Sequence, residues 1–288
     1  MTIITSRTWR DRMSDDMRLR DMRPRTQEAY LLATRQFIDH VGREPETFTD
    51  EDVRRYFLHL RDEKKLAPST INIAVHALRF FFMRTLGRDW KVFDLLRVHK
   101  PRQLPVVLAP NEVRRLLGVV REPTRRLALT TIYALGLRLN EGLGLEAVDI
   151  DSARSLVWVR DGKGARDRGV PLPKPLLERL RAYWKRERPA SPTKHLFVSA
   201  QKRAPLHETT LQKTFIAARR DARIEKHATI HTLRHSYATH LLEAGISLRT
   251  IQQVLGHKSL RTTELYMHVT QPAAEHLQET VDRLMRDL

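Results

Sequence analysis

The sequence predicts a mainly α-helical protein with a small antiparallel β-sheet, divided into two domains. Apolar residues recur at three- and four-residue steps over most of the 288 residues, which is the spacing of one helix face. A short region, 148–172, is instead rich in β-forming residues and turn residues. A basic stretch with two prolines, 97–105, interrupts both patterns and predicts a linker.

The N-terminal part reads as a small bundle of amphipathic helices. One helix is expected to stop at Gly42, since glycine commonly follows a helix C-terminus. Another is expected after Thr49, which can cap it ahead of three acidic residues. A third opens at Pro68 and ends near Gly87. The predicted boundaries are residues 1–22 for an arm or short helix, 23–96 for the helical domain, 97–105 for the linker and 106–288 for the second domain.

The second domain is expected to place its sheet between two groups of helices. An apolar helix from about Arg125 to Leu137 precedes the β-forming region. That region fits either a hairpin or a three-stranded sheet, with Lys163 between two glycines at a turn. Helical patterning is expected from Lys174 to the end of the chain.

The charge balance points to a polyanion partner. Lys and Arg number 52 against 34 Asp and Glu, a net charge of +18, and such cations release counterions when they neutralise phosphates. The alternative is a surface made basic for solubility. The absence of cysteine excludes disulfides, thiolate catalysis and cysteine-based zinc sites. Without a signal-like or membrane-spanning apolar run, we expect a soluble, cytoplasmic protein.

The polar residues of the second domain suggest metal-free phosphoryl transfer to a tyrosine. Arginines hold phosphate oxygens, imidazoles move protons and a tyrosine can attack. On a helix, His231 and Arg234 would project from one face. Nearby guanidinium groups would favour the phenolate of Tyr266. Glu141, three residues after Arg138, could orient that arginine.

Single motifs leave other interpretations open. His231 and His235 have the i, i+4 spacing of metal ligands, yet no third ligand is evident and no metal site is predicted. The segment Gly245–His257 fits a helix-turn-helix, which would make the chain a DNA-binding protein without catalysis. Lys163 in isolation reads as a solvated turn residue.

Assembled in order, the motifs resemble the tyrosine recombinases, the lambda-integrase and Xer class of site-specific recombinases. The resemblance covers residues from about 24 to about 269. It implies a SAM-like core-binding domain followed by a catalytic domain. Its specific part is a series of six residues at near-family spacing: Arg138, Lys163, His231, Arg234, His257 and Tyr266.

The resemblance also implies roles. Arg138 and Arg234 would bind the nonbridging oxygens of the scissile phosphate, His257 would donate a hydrogen bond to it, and Glu141 would brace the first arginine. Because two guanidinium groups offset the developing charge, no metal and no cofactor are expected.

The implied nucleophile is Tyr266, which would form a 3′-phosphotyrosyl link and release a 5′-hydroxyl. Lys163 would be the general acid for that leaving oxygen, and His231 would assist proton movement.

The expected partner is double-stranded DNA, bound by a homotetramer on two duplexes, with a monomer or dimer when free of DNA. Residues 272–288 correspond to a segment that often docks into a neighbouring subunit. An unidentified accessory protein is allowed for, and no membrane is expected. The candidate DNA contacts are Arg23, Arg25, Lys64, Lys65, Arg79, Arg84, Lys100 and Arg102.

Two other functions compete with strand exchange by a bacterial chromosomal or mobile-element recombinase. One is a DNA-binding regulator on a recombinase fold without catalysis. The other is DNA relaxation of the type IB topoisomerase kind, which shares the tyrosine chemistry.

Overall fold

A computed structural model of the protein describes residues 8–96, 104–160 and 167–256. The chain divides into two compact units, Met1–Arg102 and Gln103–Leu288. Each unit has its own apolar core. Across the described ranges, no helix has both the length and the apolar character needed to cross a bilayer.

The first unit is helical throughout its described part. The α-helices are α1 (Trp9–Arg18), α2 (Pro24–Val41), α3 (Asp50–Leu58), α4 (Pro68–Phe80) and α5 (Val92–Leu95). A 3₁₀ turn lies at Pro45–Thr47, and α3 and α4 continue into π-helical turns at His59–Glu63 and Phe81–Thr85.

Local signals set the ends of these helices. Gly42 adopts φ 68° and donates its N–H to the carbonyl of Ile38, which ends α2. Thr49 and Asp52 exchange hydrogen bonds at the start of α3. Pro68 occupies the first turn of α4, where its missing N–H costs no hydrogen bond. The helix boundaries expected at Gly42, Thr49 and Pro68 are therefore present in the structure.

An aromatic cluster centres the first core. The ring of Phe37 lies 5.1 Å from the ring of Phe48, 5.1 Å from that of Tyr56 and 5.8 Å from that of Phe82, each edge-on. Edge-on pairs at these separations add to the stabilisation that burial provides. They join α2, α3 and the end of α4 into one bundle.

The second unit contains the sheet and the remaining helices. The strands are β1 (Ile150–Asp151), β2 (Leu156–Val159) and β3 (Arg168–Pro171), paired antiparallel in that order. Arg168 pairs with Val159 in the register of β2 and β3. The helices are α6 (Pro110–Gly118), α7 (Pro123–Ala134), α8 (Leu139–Leu143), α9 (Lys174–Ala182), α10 (Glu208–Asp221), α11 (Ile230–Glu243) and α12 (Leu248–Leu255).

The fold class is confirmed, since the described chain is mostly helical and the β-forming region makes a three-stranded antiparallel sheet. Two local expectations are wrong. The apolar helix ends at Ala134 rather than Leu137, and Arg138 is the residue before the next helix, α8. Helix also does not continue unbroken from Lys174, because residues 188–207, which contain three prolines, form turns and two isolated bridges.

Candidate active site

The first candidate arginine is held by the start of a short helix. Arg138 is the residue before α8, with extended backbone (φ −70°, ψ 154°). Glu141, one turn on, accepts the backbone N–H of Arg138 at 2.8 Å and its Nη1 at 2.6 Å. One carboxylate therefore fixes both the backbone and the side chain of Arg138, whose side chain remains 42% exposed. The expected bracing of Arg138 by Glu141 is present.

The second candidate arginine is buried. Arg234 lies on α11 with 1% of its side chain exposed. Its Nη1 donates to the carbonyl of Gly136 at 2.8 Å and its Nη2 to the carbonyl of Leu255 at 2.6 Å. Nη1 also lies 3.5 Å from Oε2 of Glu141. The two arginines, distant in sequence, thus converge on one carboxylate.

Gly136 makes the approach of α11 to this site sterically feasible. It adopts φ +59°, and a Cβ at this position would lie 2.4 Å from Cδ1 of Tyr237 and 2.8 Å from Cδ2 of Leu255. Any side chain would therefore push α11 and α12 away from the turn that carries Arg138. Nothing in the sequence around Gly136 indicated this role.

A third arginine in the site was also not predicted. Arg168, on β3, donates from Nη2 to Oε2 of Glu141 at 2.8 Å and from Nη1 to Oε1 at 3.2 Å. Its Nε donates to the carbonyl of Val254 at 2.9 Å. In the sequence Arg168 resembles any exposed cation beside a turn, and nothing local indicates a partner 27 residues away.

The charge of the cluster suits an anion. Burial alone would raise the pKa of the Glu141 carboxyl, but hydrogen bonds and positive charge from Arg168 and Arg138 hold this pKa at about 2. Glu141 is therefore ionised at neutral pH. The guanidinium groups of Arg138, Arg168 and Arg234 surround this single carboxylate. The excess positive charge can bind a phosphodiester.

Two histidines on α11 border the arginines. The His231 ring lies 4.5 Å from the His235 ring, edge-on. Loss of hydration, then the charges of Arg234 and Arg138, lower the pKa of His231, against the opposing effect of Glu141. Burial, then His231 and Arg234, lower the pKa of His235 to about 4. Both imidazoles are neutral at pH 7, so His231 can accept a proton there.

Three predicted site residues lie outside the described residues: Lys163, His257 and Tyr266. Lys163 belongs to the connection between β2 and β3, which begins after Val159. The preceding neighbour of His257 is Gly256, which ends α12 with φ 65°. The structure therefore brings together Arg138, Glu141, His231 and Arg234 and does not test the other three.

The candidate DNA contacts of the first unit differ in their surroundings. Arg79 is partly engaged within the unit, since it donates to the carbonyl of Phe93 and lies 3.3 Å from Asp94, with 39% of its side chain exposed. Lys100 and Arg102 lie outside the described residues. The others are exposed: Arg23, Arg25, Lys64, Lys65 and Arg84. All eight remain predictions.

No metal-site geometry is found in the described stretches of the chain, where no three His, Asp or Glu side chains are grouped as ligands would be. His231 and His235 are neighbours without a third such group. The ionised group next to them is Glu141, which is already bound by arginines.

Comparison with known proteins identifies the family of both units. Residues 106–272 match the model of the phage integrase family, and residues 9–92 match that of the phage integrase N-terminal SAM-like domain. The chain is 44% identical over 261 residues to a putative integrase/recombinase, y4qK, of Sinorhizobium fredii (strain NBRC 101917 / NGR234), covering 90% of this chain and 84% of that protein.

A further relative agrees with this, and a solved structure shares the fold. The tyrosine recombinase XerA of Thermococcus kodakarensis is 36% identical over 90% of this chain and 89% of its own length. A Tn1549 transposon integrase, solved in complex with transposon right end DNA, shares the fold with a TM-score of 0.72, at 19% identity over 96% of this chain and all of that one. The chain therefore belongs to the phage integrase family, the tyrosine recombinases.

Proposed function

We propose that this protein exchanges DNA strands at specific sites, through a covalent link between Tyr266 and the 3′ phosphate of the cleaved strand. The observation that carries the proposal is the convergence of Arg138 and Arg234 on Glu141, at 2.6 Å and 3.5 Å. Two guanidinium groups held in this way can grip the two nonbridging oxygens of one phosphodiester. Their charge then stabilises the transition state, in which negative charge on those oxygens increases.

The reaction balances without an external energy source. The Tyr266 oxygen attacks phosphorus and forms one P–O bond, while the bond from phosphorus to the 5′ oxygen breaks. His231, neutral at pH 7, is suited to take the phenol proton. Lys163 supplies a proton to the departing 5′ oxygen, and His257 donates a hydrogen bond to the phosphate. Attack by a 5′-hydroxyl of another strand reverses these steps and rejoins the DNA.

Double-stranded DNA is the substrate that the charge favours. The chain carries a net charge of +18, which promotes binding to the phosphate backbone. Exposed cations of the first unit, including Lys64, Lys65 and Arg84, would extend that contact with the phosphate backbone. The transposon integrase that shares this fold was solved with DNA, which agrees with this substrate.

The assembly that we propose is a homotetramer on two duplexes, formed in the cytoplasm of a bacterium from monomers or dimers. Residues 272–288 would join neighbouring subunits, with or without an accessory protein. Relatives described as integrase/recombinase and tyrosine recombinase favour strand exchange over relaxation of the topoisomerase IB kind. The convergence of Arg138 and Arg234 on Glu141, which suits the binding of a phosphate, supports catalysis over a regulator without it.

A suicide-substrate assay tests the proposal. A nicked duplex that loses the cleaved fragment should trap a covalent protein–DNA adduct, and peptide mass spectrometry should locate it on Tyr266. Tyr266→Phe should bind the same duplex and form no adduct. Tyr237→Phe, a matched loss of a hydroxyl on α11, should form the adduct normally. An adduct in Tyr266→Phe, or one mapped to another residue, would refute the nucleophile assignment.

The same assay distinguishes a metal enzyme. Adduct formation should be unchanged in excess EDTA, because the guanidinium groups supply the positive charge. Loss of activity in EDTA that magnesium restores would show that a metal takes part.

A further inference from the structure

Arg168 donates three hydrogen bonds within the arginine cluster. Both terminal nitrogens donate to Glu141, at 2.8 Å and 3.2 Å, and Nε donates to the carbonyl of Val254 at 2.9 Å. Only 11% of the side chain is exposed. This bidentate pair fixes the orientation of the carboxylate plane, because two parallel hydrogen bonds restrain its rotation and a single hydrogen bond does not.

The orientation of the Glu141 carboxylate in turn sets the positions of the guanidinium groups of Arg138 and Arg234. Oε1 accepts from Arg138 at 2.6 Å, and Oε2 lies 3.5 Å from Nη1 of Arg234. Without Arg168, the carboxylate would be held by Arg138, whose side chain is half-exposed, and by the more distant Arg234. With Arg168 in place, a residue of the sheet also holds the carboxylate.

Arg168 also fixes the last turn of α12. The consecutive carbonyls of Val254 and Leu255 accept from Arg168 and Arg234, at 2.9 Å and 2.6 Å. Gly256 follows with φ +65°, and a Cβ there would lie 3.0 Å from Cδ and 3.2 Å from Nε of Arg168. The glycine therefore allows the arginine to pass close to the backbone at the end of the helix.

We propose that Arg168 is a positioning residue for the cleavage reaction: it ties Glu141 and the end of α12 to the sheet, and so keeps Arg138 and Arg234 at the spacing that one phosphate requires. This inference rests on the proposed function. The contacts of Arg168 with Glu141 and with the carbonyl of Val254 are those of a residue that acts through neighbouring groups, whereas a direct contact with DNA would raise the Kd when Arg168 is replaced.

Single-turnover cleavage by the full-length protein tests the role, with the rate at saturating protein measured separately from DNA affinity. Arg168→Gln should lower the saturated rate by about 10- to 100-fold. The Kd for the same duplex should change by less than about threefold, since the interaction lost is one that orients catalytic groups. Arg168→Lys keeps the positive charge but cannot form the bidentate contact with Glu141, so its saturated rate should lie between those of Arg168→Gln and the wild type.

A pH profile separates positioning from a general loss of stability. The charged and titratable groups facing Glu141 are Arg138 on α8, Arg168 on β3, and His231 and Arg234 on α11. Removing Arg168 leaves burial with fewer donors to oppose it, so the pKa of Glu141 rises. Protonated Glu141 holds Arg138 less well, and the rate of Arg168→Gln should begin to fall at a higher pH than the wild-type rate as pH is lowered.

The control is an arginine with a comparable structural role elsewhere in the same unit. Arg188 donates to the carbonyls of Thr193 and His195, at 2.7 Å and 2.8 Å. Arg188→Gln should leave both the saturated rate and the pH profile unchanged at a temperature where all variants are folded. Gly256→Ala, which presses on Arg168, should lower the saturated rate in the same way as the Arg168 variants.

The outcomes are separable. If the wild-type protein forms no adduct, the proposed function fails and the inference fails with it. If the wild type cleaves and Arg168→Gln matches it in rate and pH profile, only the inference is overturned. A large rise in Kd with an unchanged saturated rate would overturn it too, by showing a direct DNA contact. Should Arg168→Gln not fold, wild-type behaviour of both Arg168→Lys and Gly256→Ala would overturn it.

Discussion

Replacing Glu141 with glutamine probes the arginine cluster at its centre. The amide keeps the shape of the carboxylate and can still accept the backbone N–H of Arg138, but it removes the negative charge. Three guanidinium groups, those of Arg138, Arg168 and Arg234, then face one another around a neutral group. The variant should be both less stable and slower in cleavage.

The size of the stability loss follows from the pKa of Glu141. Its ordinary value is 4.5 and its value in the fold is about 2, and each pKa unit corresponds to about 1.4 kcal/mol, so the charge contributes about 3 kcal/mol. Because the folded pKa is depressed, this contribution is complete above pH 4.5 and is lost as pH falls towards 2. The difference between wild type and Glu141→Gln should therefore be largest near neutral pH and narrow below pH 4.5.

Glu112→Gln is the matched control. Glu112 lies in the first turn of α6 and accepts the N–H of Ala109 at 2.7 Å, as Glu141 does for Arg138, and it pairs with Lys226 at 2.6 Å. It has no contact with the cluster, so its loss should cost about 1 kcal/mol without changing cleavage.

Hydrogen-exchange protection of α8 and α11 measures the stability of the region that holds the cluster. The suicide-substrate assay gives the cleavage rate, which should fall at least about tenfold in Glu141→Gln. Equal protection and equal cleavage rates in the two glutamine variants would refute the reasoning.

Three other predictions concern neighbouring residues. Arg234→Ala should slow single-turnover cleavage by about 10²- to 10³-fold, and a near-normal rate would exclude Arg234 from transition-state binding. Gly136→Ala should cost about 2–4 kcal/mol in urea unfolding, because strain adds to the overlap with Tyr237; Gly245→Ala, with φ +82° and open space around it, should cost only about 1–2 kcal/mol. The pKa of His235 is lowered from 6.5 to about 4 in the folded protein. As pH falls from 7 to 5, His235 is therefore protonated in the unfolded chain but not in the folded one, and the free energy of unfolding should fall by about 2 kcal/mol. His40, His231 and His240 also have lowered pKa values, so His235→Gln should reduce the fall in stability rather than remove it, and an unchanged pH dependence of unfolding would contradict the assignment.

Features with a local cause were predictable from the sequence. The end of α2 at Gly42, the cap at Thr49 and the start of α4 at Pro68 depend on residues within one turn of the boundary. The pairing of Arg138 with Glu141 has the same origin, since the residue before a helix and the third residue of that helix lie within hydrogen-bonding reach of each other.

Features that depend on distant partners were not predictable. Arg168 lies 27 residues from Glu141 and 86 from Val254, and by itself it resembles any exposed cation beside a turn. Arg79 was expected to face DNA, but part of its hydrogen-bonding capacity is used by Phe93 and Asp94. The role of Gly136 depends on Tyr237, a residue of another helix. No pattern within one element contains these contacts.

The double attachment of Arg138 to Glu141, through backbone and side chain, has a consequence for ligand binding. A free arginine side chain loses rotamer entropy worth about 2 kcal/mol when it is immobilised. Arg138 has already lost much of this freedom on folding, because its Nη1 and its N–H are anchored to the same carboxylate. An arriving phosphate therefore meets a group that is already ordered, and more of the contact energy remains to favour the bound state.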